Sequence, residues 1–186
     1  MNDNLIELGV LSVTARNNPQ LPRLLESVKA IMPDYWTPTN DVLCGAIIRL
    51  TQLGYLKTKQ LNTSRKSVIL TKNGRERLST LFLYISESVL VGRDQHLLDT
   101  LQLYTLDLVT DEIASIALQK MVDRTLDLRK QLSARAKSQK LNGNYADILF
   151  KVENRTLENR FKMLTKIVQT ARNSSEQNTT NSRVYR

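Results

Sequence analysis

The chain has 186 residues, 21.3 kDa, with 41% hydrophobic and 24% charged residues, which is enough to bury a core without disulfides or metal and excludes a disordered or fibrous chain. Lysine and arginine number 27 against 18 acidic residues, a net +9 and a pI near 9.8, which favours a polyanionic partner. The one cysteine, Cys44, excludes an internal disulfide, and no run approaches the roughly 18 apolar residues a membrane-spanning helix needs.

Asn2, Asp3 and Asn4 precede Leu5, Ile6, Leu8, Val10, Leu11 and Val13, whose spacing predicts a helix from residue 5 to about 15, ended by Asn17-Asn18-Pro19. Leu21, Leu24, Leu25, Val28 and Ile31 predict a second helix over 20–32, broken at Pro33-Asp34. Thr37 or Thr39 can cap a third helix over 39–53, with Asn40 and Asp41 in its first turn and Pro38 tolerated there. Val42, Leu43, Ala46, Ile47, Leu50 and Leu53 form its expected buried stripe, and Gly54 is a left-handed stop.

Residues 55–60 and 66–70 read as two short strands, joined by Leu61-Asn62-Thr63-Ser64-Arg65 as a turn. A helix from Arg75 to Val91 carries Leu78, Leu81, Phe82, Tyr84, Ile85 and Val89 and stops at Gly92. A long helical segment over 95–140 follows, broken at Asn142-Gly143-Asn144, and a last helix spans 145–171 with Ile148, Leu149, Val152, Leu157, Phe161, Leu164, Ile167 and Val168. Residues 173–186 are Ser, Thr, Asn and Gln with hardly any apolar residue and are expected to be disordered.

Helix, hairpin and new helix in this order predict a mainly α chain: a winged helix-turn-helix, a small α+β unit with a β-hairpin wing, over 1–92, and long C-terminal dimerisation helices over 93–172. The broad apolar faces of those helices need more cover than a domain of about 90 residues supplies, so a second copy is expected across Leu97, Leu101, Leu108, Ile113, Ile116, Phe161, Leu164 and Val168. The alternative folds both helices back as a four-helix cap on the same chain.

Charge is segregated along the chain. Between Arg49 and Arg77 the cations Arg49, Lys57, Lys59, Arg65, Lys66, Lys72, Arg75 and Arg77 face only Glu76. Between Asp94 and Asp127 seven acids face only Lys120 and Arg124. In a winged helix the basic segment falls on the parts that face DNA: Thr37, Thr39, Asn40 and Asp41 at the tip entering the major groove, Lys57, Lys59, Arg65 and Lys66 on the wing, and Lys72 and Arg75 beside it on phosphates. A small helical domain with a merely stabilising hairpin is the competing structural reading.

Catalytic chemistry has little to work with. His96 is the one histidine, the Cys/His/carboxylate spacing of a zinc site is missing, and the six glycines stand singly, so no phosphate loop or dinucleotide fingerprint forms. Asp107/Asp111 and Asp123/Asp127 at i,i+4 read as solvated helix faces, and Cys44 as a small buried residue. The expectation is a binder, not an enzyme, with no cofactor and no metal.

Three stretches resemble the PadR-like transcriptional regulators. Arg49-Leu50-Thr51-Gln52-Leu53-Gly54-Tyr55-Leu56 is similar to the end of that family's recognition helix, and Leu70-Thr71-Lys72-Asn73-Gly74-Arg75-Glu76-Arg77-Leu78 to its strand-to-helix junction. Asn144-Tyr145-Ala146-Asp147-Ile148-Leu149 through Glu158-Asn159-Arg160-Phe161-Lys162-Met163-Leu164 resembles its final helix. The family commonly has Gly-Tyr opening the second helix and Tyr-Pro inside the recognition helix, where this chain has Pro19-Gln20-Leu21-Pro22 and Cys44-Gly45. The resemblance implies a repressor that binds a pseudo-palindromic operator in double-stranded DNA as a homodimer.

Trp36, Tyr84 and Tyr104 read as core, with a small-molecule effector beside them as the other possibility. The N-terminal residues Met1 to Glu7 lack a basic region leading into an apolar run, so a cytoplasmic protein without membrane association is expected. The acidic stretch from Asp94 to Asp127 supports a second reading, an interaction adaptor that docks a partner through its helical arm.

Overall fold

Helix α1 (Asp3–Asn17) is buried on every side from Leu5 to Thr14, and the rest of the N-terminal unit is arranged around it. The computed structural model describes residues 3–62, 65–85, 93–138 and 144–184. It divides into two units, Met1–Ile113 and Ala114–Arg186.

A helix enclosed this way must satisfy its polar groups internally. Ser12 Oγ donates to the Leu8 carbonyl at 2.6 Å and lies 2.7 Å from Thr105 Oγ1, while Thr14 Oγ1 donates to the Val10 carbonyl at 2.8 Å. Gly9 marks a close approach: a Cβ there would stand 2.7 Å from Met32 Cε. Around α1 pack α2 (Leu21–Ala30), α3 (Asn40–Gln52), α4 (Lys72–Tyr84) and α5 (Arg93–Thr105). A 3-10 turn, Asp34–Trp36, precedes α3, and another, Leu106–Leu108, follows α5.

Antiparallel strands β1 (Leu56–Asn62) and β2 (Arg65–Leu70) form the hairpin, in register from Leu56↔Leu70 to Gln60↔Lys66, with an irregularity before Asn62↔Arg65. An isolated bridge lies beside this two-stranded sheet. Gln20 bridges Ser67, and the Val68 N–H donates to the Pro19 carbonyl at 2.8 Å, so the α1–α2 connection covers part of the outer edge of β2. Helices α1, α2 and α3, the hairpin and α4 make a winged helix-turn-helix, and the chain as a whole is mainly helical.

Two junctions hold the hairpin against its helices. At the end of α3, Tyr55 N donates to Leu50 O at 2.9 Å and Gly54 N to Thr51 O at 3.0 Å, with Gly54 at φ +76°; this is a Schellman closure, and it aims the chain straight into β1. At the start of α4, Thr71 Oγ1 accepts from Gly74 N at 3.0 Å and donates to the Gly54 carbonyl at 2.7 Å. Gly74 is buried, and a Cβ on it would fall 2.1 Å from the Tyr55 carbonyl oxygen.

Several expectations change here. The boundary after residue 92 moves, because Leu97, Leu98 and Leu101 on α5 are at most 1% exposed and Gln102 Nε2 donates to the Phe82 carbonyl, placing α5 in the N-terminal unit. Leu97 and Leu101, expected on a dimer seam, are therefore core residues of their own chain. The single helix expected over 95–140 is two: α5 ends at Thr105, and α6 (Asp111–Ser138) restarts with Asp111 and Glu112 in its first turn, where carboxylates favour the helix N-terminus. Leu53 is 55% exposed, because it caps α3 beyond the stripe formed by Leu43, Ala46, Ile47 and Leu50. Helix α4 ends at Tyr84, and Val89 and Gly92 lie outside the described residues.

In the C-terminal unit, Ala114, Ala117, Leu118, Met121 and Thr125 share one buried stripe of α6 at spacings of three and four. Helix α7 (Asn144–Val184) buries Leu164 and exposes Ile148, Leu149 and Val152 near its start. It continues to Val184 through the stretch expected to be disordered from 173: once a helix is nucleated, each added residue gains a backbone hydrogen bond, and even Ser, Thr and Asn extend it. Among the described residues no helix is long and apolar enough to cross a membrane.

Candidate nucleic-acid interface

The tip of α3 faces water. Trp36 N bonds the Pro33 carbonyl at 2.8 Å, Pro38 is buried, and the chain turns at Thr39, whose carbonyl accepts from Leu43 N at 3.2 Å. Thr39 is thus the N-cap residue by its backbone, but no side-chain cap bond forms. Thr37 does not cap the helix either; its hydroxyl donates to the Pro33 carbonyl at 3.3 Å. Thr37, Thr39, Asn40 and Asp41 are all exposed.

The hairpin cations are exposed too, but they do not share one face. Strand alternation and register put Lys57 and Lys59 on the side of Ile69 and Ser67, and Lys66 with Gln60 on the opposite side. Arg65 belongs to β2 by its backbone, opposite Asn62, and its side chain lies outside the described residues, as do Thr63 and Ser64. Lys72 and Arg75 stand exposed in the first turn of α4, directly after the Thr71 cap.

Two of the eight cations in the basic segment are spent inside the protein. Glu7, only 6% exposed, accepts from Arg49 Nε and Nη2 at 3.2 and 3.0 Å with Oε1, and from Arg77 Nη2 at 2.9 Å with Oε2. Arg49 Nη1 also reaches Asp3 Oδ2 at 3.2 Å. One buried carboxylate therefore ties α1 to both α3 and α4. Counting charge along the chain missed this, and the signal available was an acid set among the apolar residues Leu5, Ile6, Leu8, Val10 and Leu11 of α1.

The acidic segment is likewise dispersed. Asp107 accepts from Arg16, whose Nη2 also bonds the Tyr104 carbonyl at 2.7 Å and whose guanidinium lies 4.7 Å from the Tyr104 ring centroid. The Asp107 hydrogen bond raises the Arg16 pKa above its ordinary value. Asp99 is buried and accepts from Gln95, Asp123 accepts from Gln119, and Asp127 pairs with Lys130. His96 is exposed near the start of α5, and no group of three metal-ligating side chains occurs among the described residues.

Of the other seam residues, Leu164 is buried in its own chain, Leu108, Ile113, Phe161 and Val168 are half-buried, and Ile116 is 44% exposed. Among the described residues of the C-terminal unit the most open apolar side chains, Leu149 at 70% and Val152 at 59%, were read as part of the last helix's stripe but not as seam positions.

No protein-family model matches the chain, and no curated protein does. Among solved structures it is similar to Bacillus subtilis PadR in complex with operator DNA, at 12% identity, covering 89% of this chain and 98% of that one, with a TM-score of 0.39. The structure of Bacillus subtilis PadR in complex with p-coumaric acid matches at 12% identity over 90% and 98% of the two chains, TM-score 0.41. The PadR-like transcriptional regulator BC1756 from Bacillus cereus matches at 13% identity over 81% and 90%, TM-score 0.38.

Proposed function

We propose that the chain is a sequence-specific DNA-binding transcriptional regulator, not an enzyme, acting as a homodimer on a pseudo-palindromic operator. One observation carries the reading: the exposed tip Thr39-Asn40-Asp41 belongs to the same helix–hairpin–helix unit as the exposed cations Lys57, Lys59, Lys66, Lys72 and Arg75. The tip enters the major groove, where Asn40 pairs with adenine in two-pronged fashion and Thr39 bonds a neighbouring base edge. The hairpin lies along the flanking backbone, one face offering Lys57 and Lys59 and the other Lys66, with Arg65 near its tip.

A repressor role follows the family resemblance of the three sequence stretches. The second copy joins through apolar residues of the C-terminal helices, and a hydrophobic effector acts near Trp36, Tyr84 and Tyr104, in a cytoplasmic protein. Selection of duplexes from a random pool, with light scattering on the free and bound protein, tests these points together. Enrichment of paired half-sites about one helical turn apart, bound by two copies, supports the reading. No binding to any duplex at about 50 mM salt, where phosphate contacts are still strong, rejects it in favour of the adaptor.

A further inference from the structure

Building on the regulator reading, we infer that α3 selects A·T base pairs, and that Ile48 does so by touching the 5-methyl group of thymine. A helix lying in the major groove turns positions i, i+3, i+4 and i+7 toward the base edges. Counted from Asp41 these are Cys44, Gly45 and Ile48. Asp41, Gly45 and Ile48 are exposed and Cys44 is half-buried, so the four make a continuous solvent face.

Ile48 is 58% exposed, the most open apolar side chain within α3, and the buried stripe of that helix runs without it through Leu43, Ala46, Ile47 and Leu50. One turn before it, Gly45 weakens the helix relative to alanine, yet a Cβ there would meet nothing within 4 Å. Packing inside the chain thus explains neither the glycine nor the isoleucine. Both suit a partner surface that comes close to the helix backbone at Gly45 and offers an apolar group to Ile48. The thymine methyl is the apolar group that base pairs present in the major groove.

Charge gives the same answer from the other side. Guanine is most often read by a two-pronged Arg or Lys. Arg49 is the only cation in α3, and Glu7 and Asp3 hold it. Apart from Asp41, whose carboxylate in the first turn favours the helix N-terminus, what α3 offers to base edges is Asn40, suited to adenine, and Ile48, suited to thymine.

The test uses the full chain and the duplex enriched from a random pool, resynthesised with each dT replaced in turn by dU, which removes only the methyl group. Expected are half-sites with A·T pairs at the centre and one position per half-site where dU weakens binding about fourfold, the worth of one buried methyl. Ile48→Ala should weaken binding to the parent duplex, abolish the dU effect at that position and leave thermal stability unchanged. Centres of G·C pairs, a flat dU scan, or a dU effect that persists in Ile48→Ala overturns this inference while the regulator reading stands. A shift in oligomeric state by Ile48→Ala with DNA binding unchanged overturns it as well, assigning Ile48 to a protein contact. If no duplex is enriched or bound, the regulator reading itself fails and this inference falls with it.

Discussion

The Glu7 carboxylate receives the Arg49 guanidinium side-on, through both Nε and Nη2 on the single oxygen Oε1, and leaves Oε2 for Arg77. Because Glu7 lies on the central helix and the two arginines on α3 and α4, this one group ties both of those helices to α1 and fixes how they sit relative to each other. Glu7→Gln keeps the shape and removes the charge. It should destabilise the chain by about 1–3 kcal/mol in urea denaturation, less than a fully enclosed pair would lose because both guanidiniums reach water. A loss under about 0.5 kcal/mol, the level of an exposed pair, would show that the bridge does not organise the unit.

At Gly74 the obstacle is backbone. An alanine Cβ would press on the Tyr55 carbonyl, which also accepts from Thr71 N at 3.0 Å, so neither element can yield without opening the junction. Gly74→Ala should cost about 3 kcal/mol, the upper end of overpacking penalties, and lower the thermal midpoint correspondingly. Gly45→Ala, with open space around it, should leave the midpoint unchanged or raise it.

Lys57→Ala and Lys66→Ala probe the two faces of the hairpin. Each removes an exposed cation and should weaken binding to all duplexes alike, flattening the dependence of log affinity on log salt by about 0.9 per lost phosphate contact, or about 1.8 in a dimer. Urea stability should not change for either. If only one of them flattens the slope, the hairpin lies on DNA by that face alone.

Leu97→Ala and Leu149→Asp separate core from seam. Leu97 is fully enclosed in its own chain, and truncation should cost about 2–5 kcal/mol without changing the mass seen by light scattering of the folded protein. Leu149 is 70% exposed, so Leu149→Asp should leave the fold intact and convert dimer to monomer. A Leu149→Asp protein that remains dimeric moves the seam elsewhere.

Much of the winged unit was legible because each of its elements is signalled locally. Pro19, Pro33 and Gly54 punctuate the chain at the element ends, Thr71-Lys72-Asn73-Gly74 announces a capped helix, and alternation in 66–70 gives the strand. Exposure of Asn40 and of the lysines followed from their position at the ends and edges of those elements. What stayed hidden was long-range. Glu7 and Arg49 are 42 residues apart, and nothing near either one shows that they meet. Leu97 and Leu101 carry the same periodicity whether they face a second copy or α1, because a helical stripe records that a face is apolar and not which surface covers it. The break at 106–110 was missed for a related reason: Leu106, Leu108 and Val109 continue an apolar pattern although the backbone changes pitch there.

Pro19 and Gln20 cover part of the β2 edge, and among the described residues no strand pairs with the outer edge of β1, an arrangement that invites another strand to add to it. Lys57 and Lys59 stand on that side, where their charge repels an incoming copy. A protein stripped of both lysines should therefore aggregate more readily through that edge.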